Sequence, residues 1–166
     1  MPAEEIVAAG SLRVRFTHAG DRYAHVVEVS DGDDWNAALV SIEGSGDEAW
    51  PASPPLQQLA VETRDGRPVA MLLGLAGASH WSVSIEAQSD GALSFDVACR
   101  VTQPPQHLST VYHRPADAPD VVLAVDPAAG EASCVEYPLQ ELVRIDAHTQ
   151  SVEPPATIRW RYTVSR

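Results

Sequence analysis

Five residues stand out as able to do chemistry together: His80, Ser84, Glu86, Asp96 and Arg100. They lie on two stretches, HWSVSIEAQ (80–88) and ALSFDVACRV (92–101), that alternate polar and apolar residues around Ser89-Asp90-Gly91. On one hairpin face they would set a base, a hydroxyl, two carboxylates and a guanidinium within a few residues of each other. A small anion or polar ligand could sit over Arg100 and His80, and the glycine-rich approach GLAGASH (74–80) would let it near the backbone. The same pattern is also that of a solvated antiparallel face with cross-strand ion pairs, and this plainer reading is the favoured one.

No other constellation carries a catalytic signature. Ser79 precedes His80, but no GxSxG elbow is present. There is no Walker loop and no GxGxxG, so dedicated nucleotide folds and their cofactors are not indicated. The six histidines, at 18, 25, 80, 107, 113 and 148, show no close metal-binding pair. His107 and His113 fall on one strand face, about 20 Å apart at strand rise, too far to share an ion. The acidic run DGDD (31–34) fails as a calcium loop, because the twelfth position counted from Asp31 is Ile42. It reads as a solvated turn. The expectation is therefore no catalytic residue, no metal and no cofactor.

The elements positioning these residues are strands. Period-two alternation runs through the chain, filled by β-branched and aromatic residues. SLRVRFT (11–17) and YAHVVEVS (23–30) flank Gly20-Asp21. A two-residue loop led by glycine sets Val14 opposite Val27, Leu12 opposite Val29, and Arg13 opposite Glu28 as a charge pair. In the 80–101 hairpin, a two-residue loop would mix the faces. A three-residue loop ending in left-handed Gly91 puts Trp81, Val83 and Ile85 opposite Cys99, Val97 and Phe95. The polar face then pairs Ser84 with Asp96 and His80 with Arg100.

A third hairpin, 57–64 with 67–75, turns at Asp65-Gly66. Its second strand, VAMLLGL, is apolar on both faces and reads as central. Further strands are expected at 38–43, 107–113, 121–126, 131–137 and 157–164. Residues 138–146 are open between a short helix begun at Pro138 and a strand. Trp81 and Trp160 read as core. Trp35 and Trp50 read as exposed loop residues.

The fold class is accordingly all-β: an antiparallel β-sandwich or closed barrel of about 8–11 strands. The 166 residues form one domain, 1–166. ALVSIEGSGDEA (38–49) aligns with VVLAVDPAAGEA (121–132), and PLQQL (55–59) with PLQEL (138–142), in one ungapped frame. That alignment raises an internal duplication, halves 11–86 and 94–165, with pseudo-twofold symmetry.

The chain carries 23 Asp and Glu against 11 basic residues, all of them Arg, for a net charge of −12. Nucleic acid and anionic membrane surfaces are poor partners for that charge, unless a local basic patch overrides it. Arg13 with Arg15 and Arg159 with Arg161 are the tight pairs. The first sixteen residues show neither a basic start nor an apolar core of the export type. No apolar run reaches the ~20 residues of a membrane helix. Cys99 and Cys134 are expected to be reduced thiols in a cytoplasmic protein, Cys99 inert in the core.

Two functions are compatible with this reading. The leading one is a non-catalytic β-domain that binds a protein partner or forms a homo-oligomer, because open strand edges need covering. The alternative is a pocket for a small anionic or polar ligand, enzymatic or not, near the 74–80 loop.

Overall fold

The computed structural model describes residues 4–166, and among them thirteen strands. In chain order these are β1 (Glu5–Ala9), β2 (Leu12–Ala19), β3 (Arg22–Asp31), β4 (Asp34–Ser41), β5 (Leu56–Arg64), β6 (Arg67–Ala76), β7 (Ser79–Ala87), β8 (Leu93–Val101), β9 (Ser109–His113), β10 (Val122–Val125), β11 (Ala132–Tyr137), β12 (Leu142–Ala147) and β13 (Ala156–Ser165). Two single 3₁₀ turns, Pro127–Ala129 and Pro138–Gln140, are the helical content.

The strands form two antiparallel sheets. Sheet A runs β1-β2-β3-β4-β9-β12-β11 and sheet B runs β10-β13-β8-β7-β6-β5. Among the described residues each sheet ends in two edge strands, so the architecture is a β-sandwich and not a closed barrel. Alternation cannot distinguish the two, since both bury every second residue.

The hairpin registers follow the turn chemistry. Leu12 faces Val29, Arg13 faces Glu28 and Val14 faces Val27 across the Gly20-Asp21 turn, where Gly20 has φ +73°. In β7–β8, Ile85 faces Phe95, Val83 faces Val97 and Trp81 faces Cys99. The loop closes by Gln88 N donating to Ala92 O at 2.8 Å, with Gly91 at φ +86°. A Cβ on Gly91 would meet nothing within 4 Å. Gly91→Val should therefore cost about 1 kcal/mol or more through backbone strain alone. Chemical denaturation of the variant, with Gly91→Asn as a milder control, measures it.

The inward rows meet in one core. Trp81 and Trp160, both buried, pack edge to face at 6.0 Å. Phe95 stacks on Tyr162 at 4.8 Å. Burial of each such side chain stabilises the sandwich by roughly 1.5–3 kcal/mol. Trp81 Nε1 donates to the buried Ser79 hydroxyl, which donates to Ala76 O. The indole N–H is thereby satisfied inside the core.

Several expectations need correction. The strand count exceeds eleven. The five-residue β1 is too short for alternation to reveal, and 138–146 divides into a 3₁₀ turn and β12. The duplication finds no support in the strand order. β2, β3 and β4 are neighbours in sheet A, whereas β8, β9 and β10, their counterparts in that alignment, are divided between the two sheets. PLQQL opens the edge strand β5, while PLQEL forms a 3₁₀ turn before β12. His107 precedes β9 and does not share a strand with His113. Trp35 lies on β4, and both Trp35 and Trp50 are half-buried. Arg13 lies over the Trp35 ring at 4.3 Å. β6 is interior to its sheet, as its apolarity implied, but its outer face is uncovered: Leu73 and Leu75 are 52% and 54% exposed.

Candidate functional site

All five candidate residues stand on the outer face of sheet B, placed there by the β7–β8 register. Four cross-strand rows organise this face. The first holds Leu75, His80, Arg100 and Thr157. The second holds Gln58, Leu73, Ser82, Ala98 and Arg159, and the third Ala60, Met71, Ser84, Asp96 and Arg161. The fourth holds Glu62, Val69, Glu86, Ser94 and Thr163.

This arrangement divides the candidates. Asp96 is taken by β13: Arg161 donates to it at 2.8 Å and Arg159 approaches at 3.6 Å. Arg161 also reaches Asp126 at 3.5 Å. The hydrogen bond to Asp96 raises the Arg161 pKa against some desolvation. Ser84, Glu86 and Asp96 line a shallow cleft of about 180 Å³ with Gln88, Ser94 and Arg161. His80 lines a different cleft, about 270 Å³, with Leu73, Gly74, Leu75, Trp81, Gln57 and Gln58. Arg100 lines neither.

His80 and Ser84 are four residues apart on one strand, about 13 Å at strand rise, so no proton passes directly between them. Among the described residues neither makes a side-chain hydrogen bond. Among the described residues the arrangement supplies charge and apolar surface.

The wider face has a character that motif searching did not reveal. Five of the eleven arginines stand on it: Arg64, Arg67, Arg100, Arg159 and Arg161. Four carboxylates accompany them: Glu62, Glu86, Asp96 and Asp126. On a chain of net charge −12 this face is close to neutral. Through it runs the strip Met71, Leu73, Leu75, beside the unpaired edge strand β5. That edge is partly managed. A bulge at Leu56/Gln58 ends the regular ladder, and the Gln57 side-chain amide pairs with the Leu75 backbone in both directions, at 3.1 and 3.2 Å.

A second polar group lies between the sheets. His25 Nε2 and the Tyr112 hydroxyl are 3.0 Å apart, and the Tyr112 and Tyr162 hydroxyls 2.7 Å apart. Burial pushes the His25 pKa down to about 4 and raises both tyrosines. The adjoining cavity, about 20 Å³, has room for one water, and the buried Thr110 hydroxyl on its wall lacks a partner. His25 was legible in principle, since it is in phase with the inward Val27 and Val29. Nothing in the sequence pairs it with Tyr112 or Tyr162, which come from distant strands.

On the outside of sheet A, Glu28 is clamped by Arg13 at 2.6 Å and Arg15 at 3.0 Å and is only 5% exposed. This bears out the expected Arg13–Glu28 pair and explains the Arg13, Arg15 spacing structurally. Both cysteines are free thiols, and burial pushes the Cys99 pKa up to about 12. Among the described residues no three His, Cys, Asp or Glu side chains group as metal ligands, and no helix is long and apolar enough to cross a membrane. Comparison with protein-family models, curated proteins and solved structures returns no match.

Proposed function

We propose that this chain is a non-catalytic β-sandwich that works by self-association through the outer face of sheet B. The observation carrying the reading is the pair Leu73 and Leu75, each more than half exposed on a strand interior to its sheet. An outward face is ordinarily polar, and leucines there are a reason for a covering surface. A second copy fits because this face is nearly neutral, whereas an approach through the strongly acidic remainder is repelled. The free thiols support a cytoplasmic setting.

Leu73→Asp tests the reading. Its side chain points outward, so the fold should persist by circular dichroism. Light scattering should show the wild-type mass rising with concentration and the variant staying at 17.8 kDa. A wild-type chain that stays monomeric, or a variant that associates equally well, would refute it.

The second reading, a small anion or polar ligand near the 74–80 loop, rests on the 270 Å³ cleft holding His80, Gln57 and Gln58. Inorganic phosphate that shifts the His80 ring resonances saturably, with Gln58→Ala weakening the shift, would favour it. No saturable shift would count against it.

A further inference from the structure

We infer that the cavity between the sheets is a binding site for one long-lived water molecule, held by the Thr110 hydroxyl together with the His25, Tyr112 and Tyr162 chain. The site is independent of the sheet B face.

Alternation brings these polar groups inward. Thr110 and Tyr112 are in phase on β9, so both side chains point from sheet A toward sheet B, and both are buried. Tyr162 comes from β13 on the facing sheet, opposite the inward Phe95. His25, Thr110 and Tyr162 line the cavity together, among apolar neighbours that include Val83, Phe95 and Val97.

The polar hydrogens outnumber their acceptors. Neutral His25 carries one N–H, and Tyr112, Tyr162 and Thr110 carry one O–H each. The two contacts of the chain, at 3.0 and 2.7 Å, use two of these four hydrogens. Thr110 is close enough to Tyr162 to lower its pKa, yet its hydroxyl completes no hydrogen bond of regular geometry among the described residues. One hydrogen is therefore left on the chain and one on Thr110, which is only 4% exposed. A buried hydroxyl without a partner is costly. Water, with two donors and two acceptors, can serve both groups at once.

The size of the cavity selects the ligand. About 20 Å³ admits one water and no larger molecule. Ser53 and Pro54 of the segment 51–55 form part of its wall. That segment is fastened to β9 on both sides of Thr110. The Ser109 hydroxyl donates to Ala52 O at 2.7 Å, and Val111 N donates to the Ser53 hydroxyl at 2.8 Å. With the wall held this way, exchange of the water with solvent should be slow compared with surface hydration.

Oxygen-17 relaxation dispersion, which counts long-lived waters, tests the site on the intact chain. Thr110→Val keeps the shape of the side chain and removes its hydroxyl, so it should show one long-lived water fewer than the wild type. Thr110→Ser should keep the wild-type count. The urea midpoint gives a second, signed readout. Thr110→Val should lower it if a water is left short of a partner, and raise it if the variant merely removes an unpaired hydroxyl. In the wild type, the Val83 and Val97 methyls should show cross-peaks to slowly exchanging water, a measurement that needs no variant.

Equal water counts in wild type and Thr110→Val, a raised midpoint, or valine methyls without water cross-peaks would each overturn the inference.

Discussion

Val83→Asp is expected to remove most or all of the folded population at room temperature, while Ser84→Asp, one residue along, leaves the chain folded. Val83 is 6% exposed and faces Val97 within the core. A carboxylate there is buried without a partner, at a cost of several kcal/mol in either protonation state. Added to the lost valine packing, this approaches the whole stability of an ordinary domain, about 5–15 kcal/mol. Ser84 points outward beside Asp96, so an added charge there meets solvent and mild repulsion, a change of about 1 kcal/mol or less. Urea unfolding followed by circular dichroism separates the two. The reverse outcome would invert the faces of β7 and β8, and the association surface would fall with them.

The second large effect is acid sensitivity traced to one histidine. His25 is buried between the sheets, and its pKa is pushed from near 6.5 down to about 4 by desolvation. Its ring meets the Tyr112 hydroxyl, which is bonded in turn to the Tyr162 hydroxyl, and Tyr23 and Glu43 line the same cavity. The unfolded chain binds a proton at His25 from about pH 6.5 downward, and the folded chain does so only near pH 4. Stability is therefore full above pH 6.5 and falls as pH drops toward 4, by about 3 kcal/mol in all. His25→Phe should flatten that part of the stability curve, at some packing cost that is independent of pH. A wild-type curve unchanged between pH 7 and 4.5, or a variant with the same slope, would contradict it.

What the sequence revealed and what it concealed divide along a physical line. Registers fixed by a local turn were readable residue by residue. Gly20-Asp21 and Ser89-Asp90-Gly91 each allow one pairing that keeps the apolar row inward, so Val14–Val27 and Val83–Val97 followed from local chemistry. Long-range order was not readable. The place of β9 between β4 and β12 depends on contacts that no local pattern encodes, and that place removes the duplication read from PLQQL and PLQEL. The alternation of β6 showed an apolar outer face but not that solvent reaches Leu73 and Leu75. The polar candidates were correctly placed on one face. Their partners were not: Asp96 was aligned with Ser84 from the hairpin, but it is claimed by Arg161 and Arg159 of β13, which lies beside β8 only in the folded sheet.

A dilution series followed by backbone amide NMR tests the central claim most directly. If the outer face of sheet B associates, amide shifts should move with concentration at Leu73, Leu75, Ser82, Ser84, Ala98 and Arg100. Those at Val26, Val40 and Val111 on the outside of sheet A should stay still. Shifts independent of concentration, or moving on sheet A alone, would contradict the account.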